Sequence, residues 1–170
     1  MLETIYITRH GFRSNWENTK WSPSPTGIDA DPALASHGVE QAIELATYLK
    51  ALDANIQKIY TSPFYRCIQT IDHTANALDL SIHVDNGIGE WYGITRATHP
   101  SPATINVLKN FFPRIEENYQ PSVVPSNKGE TMAEIHERVR KAMEIIIRDA
   151  EKSDCSAILL CTHAATNDVR

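Results

Sequence analysis

The chain has 170 residues, 42% of them hydrophobic and 22% charged, with a net charge of -5. That length buries one core without cross-links and predicts a single domain over residues 1–170. With no Lys/Arg-rich block, direct nucleic-acid binding is not indicated, and with no long apolar run neither a membrane span nor a signal peptide is expected.

The first predicted strand is Thr4 to Thr8, where Ile5, Tyr6 and Ile7 form a short apolar run expected to be buried on both faces. It ends in Thr8-Arg9-His10-Gly11. From Phe12 to Pro32 the composition turns to Pro23, Pro25, Gly27 and Pro32, with Asn15, Trp16, Asn18 and Trp21 between them. A loop this long in a small domain reads as a wall or lid over whatever Arg9 and His10 form. Within it, Asp29-Ala30-Asp31 reads as loop polarity, because it does not end an apolar strand. Ser36 is placed to cap a helix running to about Leu52, with Val39, Ala42, Ile43, Ala46 and Leu49 on one face.

Ile56 to Thr61 reads as the second strand. Ser62-Pro63 then opens a helix with the stripe Phe64, Ile68, Ile71, Ala75 and Leu78, and Pro63 is expected in its first turn. Ile82 to Val84 is a short third strand before Asn86-Gly87-Ile88-Gly89-Glu90-Trp91. Prolines cut up Gly93 to Gly129 and leave room for one helix around Ala103 to Phe111. Thr131 and Glu134 make a capping box for a helix with the face Ile135, Val139, Ala142, Met143 and Ile146. The last strand, Ala157 to Cys161, closes on Thr162-His163-Ala164-Ala165. Cys67, Cys155 and Cys161 contain no Cys-x-x-Cys and read as reduced thiols of a cytosolic or nuclear protein.

Strands alternating with helices predict an α/β three-layer sandwich, a mostly parallel sheet with helices on both faces. Ligands in such sheets bind outside the carboxyl ends of the strands. Arg9 and His10, then Arg66, Glu90 and His163, follow four different strands and should meet on one edge. Two arginines can hold a phosphoryl group, a neutral histidine can attack it, a second histidine can donate to its oxygens, and a carboxylic acid can protonate the leaving group. These residues supply the positive charge themselves, so neither a metal nor a cofactor is called for. Singly, each has a plainer reading: a structural histidine, a capping arginine, a solvated carboxylate. His37, His73, His83, His99 and His136 show no ligand spacing and read as surface or helix residues. No cysteine has an arginine six positions on, and there is no Gly-x-x-x-x-Gly-Lys-Ser/Thr loop, which removes cysteine-dependent phosphatases and P-loop enzymes.

The motifs Arg9-His10-Gly11, Leu34 to Ala42, Ser62 to Thr70, Glu90, Gly129-Glu130-Thr131 and Thr162-His163 run in order along nearly the whole chain. In these the chain resembles the histidine phosphatase superfamily, also called phosphoglycerate-mutase-like. It is most similar to a fungal branch that includes the phosphatase-like domain of an RNA polymerase III transcription factor C subunit. The resemblance implies a phosphohistidine at His10, phosphate binding by Arg9, Arg66 and His163, and Glu90 as proton donor. Three features depart from the pattern. Phe12 follows Gly11 where many members carry Glu or Gln. Asn15 falls five rather than six residues after His10, so a substrate role for it is only a candidate, as it is for the extra cation Arg13. The sequence also stops at Asn167-Asp168-Val169-Arg170, where members usually continue with another helix, and so reads as truncated.

The expectation is a hydrolase of the histidine-phosphatase type, cytoplasmic or nuclear. It would act on phosphotyrosine-like or other bulky organic phosphates, carried by a small molecule or a phosphoprotein. The alternative is a catalytically silent interaction module with a protein partner in a transcription complex.

Overall fold

The computed structural model describes residues 1–17, 24–95 and 98–167. Asn18, Trp21 and Pro23 of the long loop, and the closing Asp168-Val169-Arg170, lie outside them.

Four strands, β1 (Thr4–Arg9), β2 (Ile56–Thr61), β3 (Ile82–Val84) and β4 (Ala157–Thr162), form one sheet in the order β1-β4-β2-β3. Every pairing is parallel. The register sets Arg9 beside Thr162, and Thr61 beside both Cys161 and Val84, so the carboxyl ends of all four strands finish level. Backbone bonds carry the ladder one residue further, from His10 N to Thr162 O, Ser62 N to Cys161 O and Asp85 N to Thr61 O. The residues that follow each strand therefore start from one rigid edge.

Helices cover both faces. On one, α1 (Ser36–Ala51), α2 (Tyr65–Leu78) and α3 (Ile105–Phe111) pack Leu49, Ile68, Ile71 and Leu108 against Ile59, Ile82 and Leu159. On the other, α4 (Met132–Lys152) packs Ala142, Ile146 and Ala150 against Tyr60, Ile158 and Leu160. A fully buried aliphatic side chain contributes about 2 kcal/mol, so these two layers hold the strand ends in place. The capping box at the start of α4 is formed as expected: Thr131 Oγ1 accepts from Glu134 N, and Glu134 Oε2 accepts from Thr131 N. A short helix, α5 (Ala164–Asn167), follows β4.

Five local readings need correction. β1 is an edge strand, paired among the described residues with β4 alone, and Ile7 is 51% exposed rather than buried on both faces. An apolar run does not distinguish an edge from a centre. Ser36 is the first residue of α1, not its cap; Ala35 holds that position without a side-chain bond. On the predicted stripe of α1, Ala42, Ala46 and Leu49 are buried, but Ile43 is exposed. Pro63 lies before the Phe64 cap of α2 rather than in its first turn. β1 and β4 each run one residue longer than predicted, because Arg9 and Thr162 pair with each other.

Candidate active site

His10 leaves the end of β1 and is buried. Its Nδ1 lies 2.8 Å from Gly11 O, and since a carbonyl only accepts, Nδ1 carries the proton. In the neutral ring the lone pair is then on Nε2. Burial drives the His10 pKa down to about 4, with Arg66 and His163 pushing the same way against Cys67 and Gly11 O. His10 is therefore a neutral imidazole with a free nitrogen at ordinary pH, the state a nucleophile needs. Its position is fixed from below. Gly11 N donates to Thr70 Oγ1, and a β-carbon on Gly11 would come within 2.6 Å of Gly38 O. Only glycine permits that approach between the turn after β1 and the first turn of α1.

His163 leaves the end of β4, 0% exposed, with its ring centroid 5.5 Å from that of His10. Its Nδ1 is 3.2 Å from Glu90 Oε2, its Nε2 is 2.6 Å from Ser62 Oγ, and Cys67 Sγ lies 3.5 Å from Nε2. Burial opposes the charged ring, but Cys67 and Glu90 outweigh it and the pKa rises. The two histidines are thus tuned in opposite directions, one toward a lone pair and one toward a cation.

Arg66 comes from the first turn of α2 and is 1% exposed. Its Nη1 donates to Asp31 Oδ1 at 3.2 Å and its Nη2 to Glu90 Oε2 at 3.1 Å. Among the described residues its buried Nε has no partner, and neither has Arg13 Nε. Buried N–H groups are nearly always paired, so two orphan donors near a neutral imidazole fit an oxyanion that supplies the acceptors. Glu90 is also held by Trp91 N through Oε1. Burial would raise its carboxyl, but His163 and Arg66 bring it down to about 2. Glu90 is therefore ionised and lies on the donors that a phosphoryl group would use.

The loop carrying Glu90 is tied down along its length. Arg138 Nη1 donates to Gly87 O and Gly89 O, while its Nε and Nη2 clasp both oxygens of Glu130. Thr162 Oγ1 donates to Ile88 O, and Thr166 Oγ1 to Gly89 O.

The structure thus brings together His10, Arg66, Glu90 and His163. Arg13 joins them at the mouth: its guanidinium stacks 4.3 Å from the Trp16 ring centroid, and burial, then Arg66, lower its pKa against the pull of Glu90. Arg9 is exposed, its guanidinium 5.4 Å from the centroid of the same Trp16 ring, at the rim rather than inside the buried cluster. Asn15 is exposed on a 3-10 turn, Ser14–Trp16. Trp16 itself, 38% exposed, stands 5.9 Å from His10 and walls the site. The loop is closed at its base by Ser14 N to Ala33 O and Ala35 N to Phe12 O.

Sequence reasoning missed several of these residues. Asp31, read as loop polarity, is 0% exposed and holds Arg66 and Tyr65 N. The hydroxyls of Ser62 and Thr70 hold His163 and Gly11. His99 is no plain surface residue: it lies in an irregular stretch and stacks on Tyr92 at 5.5 Å. His83 is a half-buried residue of β3.

A parallel sheet with Arg-His-Gly after its first strand and a second histidine after its last is the frame of the phosphoglycerate-mutase-like phosphatases. The chain belongs to the histidine phosphatase superfamily, branch 1, whose family model matches residues 5–169. It is 43% identical over 171 residues to the transcription factor tau 55 kDa subunit of Saccharomyces cerevisiae, covering 98% of this chain and 39% of that protein. It is 26% identical over 193 residues to the ecdysteroid-phosphate phosphatase of Drosophila melanogaster, covering 96% of this chain and 26% of that one. The chain thus spans well under half the length of these relatives. Among solved structures, the ecdysone phosphate phosphatase of Bombyx mori in complex with tungstate superposes with a TM-score of 0.83 at 22% identity, over 98% of this chain and 75% of that one. A phosphoglycerate mutase from Bacillus anthracis gives 0.65 at 20% identity, over 96% and 76%.

Proposed function

We propose that the chain is a phosphomonoester hydrolase that works through a phosphohistidine at His10. The observation that carries this reading is the opposed tuning of two histidines 5.5 Å apart, one a neutral nucleophile and one held toward the cation, beside a buried arginine with an unpaired donor. The His10 Nε2 lone pair forms the N–P bond as the bond from phosphorus to the leaving oxygen breaks. Arg66 and His163 hold the non-bridging oxygens, with Arg13 and Arg9 toward the mouth. A phosphoryl group on Arg66 and His163 loosens their hold on Glu90 and places a dianion beside it, and both changes raise the carboxyl pKa. Glu90 then takes up a proton and delivers it to the leaving alkoxide. In the second half, Glu90 accepts a proton from the water that attacks phosphorus, the N–P bond breaks, and inorganic phosphate leaves.

The mouth, with Trp16, Phe12 and Arg13, suits a phosphotyrosine-like or other bulky organic phosphate. The test is turnover of a chromogenic aryl phosphate in the presence of a chelator. Wild type should be active, and His10→Ala should lose at least about a thousandfold. No turnover by a folded wild type overturns the reading.

A second reading rests on the 43% identity to a transcription factor subunit: a nuclear interaction module in a transcription complex that retains the pocket without turning over. Folded wild type that binds vanadate yet hydrolyses nothing would favour it.

A further inference from the structure

Asp31 sits in the loop after β1, 34 residues before the start of the helix it serves, and both of its oxygens act there. Oδ2 accepts from Tyr65 N at 2.9 Å, the first N–H of α2, which has no partner within the helix. Oδ1 accepts from Arg66 Nη1 at 3.2 Å. One carboxylate therefore fixes the backbone from which the arginine springs and the tip at which it ends. That leaves a particular edge free. In a guanidinium, the Nε–H and the Nη2–H beside it run parallel and form a two-pronged donor that matches two oxygens of a phosphoryl group. In this site Nη2 reaches Glu90 and Nε has no partner, so the parallel edge is the one that Asp31 does not use.

We propose that Asp31 is a positioning residue: by taking Nη1 it turns the Nε/Nη2 edge of Arg66 toward the phosphoryl group. The inference rests on reading the Arg66–His163 cluster as an oxyanion site, but it concerns binding and not turnover. Asp31 has a competing role, because it is also a negative charge close to where a dianion would sit. If it were only a counter-charge, its removal would tighten anion binding. If it aims the arginine, its removal weakens it.

Inorganic vanadate binding, measured by calorimetry on wild type and Asp31→Asn, separates the two. The asparagine can still accept from Tyr65 N, and near-ultraviolet circular dichroism sets the folded fraction. Per folded molecule, Asp31→Asn should bind vanadate roughly tenfold more weakly, the size of one lost charge-assisted hydrogen bond. KM for an aryl phosphate should rise with it, more than kcat falls, and the loss should largely vanish when Arg66 is already Gln. Unchanged or tighter vanadate binding overturns the proposal. Should the asparagine variant not fold, the Arg66 Nε–H resonance of wild type serves instead: it should move on adding vanadate, and an unmoved resonance with vanadate bound overturns the proposal. Vanadate binding without hydrolysis would sink the proposed activity and leave this inference standing. Hydrolysis with unaltered Asp31→Asn binding would do the reverse.

Discussion

Two buried arginines stand on either side of the Glu90 loop, and they use their donors differently. Arg138 clasps Glu130 with Nε and Nη2 and gives Nη1 to two carbonyls of the loop. Every nitrogen is engaged by the protein. Arg66 gives Nη1 to Asp31 and Nη2 to Glu90, and keeps Nε unpaired. The same side chain, equally buried, is a rivet in one place and an open clamp in the other. Burial alone would not tell them apart. The unpaired nitrogen does.

The contrast is sharpest in stability. Replacing Arg138 with Ala leaves Glu130 buried and uncompensated and frees the loop carbonyls, so denaturant unfolding should show a loss of about 3–5 kcal/mol. A loss below about 1 kcal/mol would mean that Arg138 does not rivet the loop.

Acid should strain the Arg66 site through His10. His10 has a folded pKa lowered from 6.5 to about 4, so the unfolded chain binds its proton first. Its contribution to stability is complete above pH 6.5 and declines as pH falls toward 4. The full decline amounts to about 3 kcal/mol. Unfolding of wild type and His10→Gln compared across that range isolates it, and parallel pH curves would contradict the buried neutral imidazole.

The smallest effect runs against intuition. Glu90 shares its donors with the oxyanion, so Glu90→Gln should bind vanadate more tightly, by about tenfold, while turnover falls. Calorimetry of that variant checks it, and weaker binding would show that Glu90 does not compete for the clamp.

The strand ends could be read from sequence because apolar runs between helical stripes are local signals. His10, Arg66, Glu90 and His163 follow those runs, and a parallel sheet gathers whatever follows its strands. Asp31 could not be read in the same way. An aspartate among prolines and glycines looks solvated, and only the docking of its loop onto the start of α2 buries it. Arg138 offered a missed hint, a charge between Ile135 and Val139 on the apolar stripe of α4. The edge position of β1 depends on which strands flank it, which no local pattern encodes. Arg9 shows the opposite limit: its motif was evident, but sequence order alone could not say that its side chain would lie at the rim.

The Gly11–Gly38 contact has a mechanical consequence. Backbone meets backbone there, so no soft side chain separates the turn that carries His10 from α1, and the helix acts as a hard stop for it. A β-carbon on Gly38 would fall 2.1 Å from Phe12 O. Something would have to move, and the turn beside His10 is what lies in its path. Near-attack geometry tolerates little: a shift of about 1 Å can cost about a hundredfold in rate. The reach of His10 is thus gauged by a residue that carries no chemistry at all.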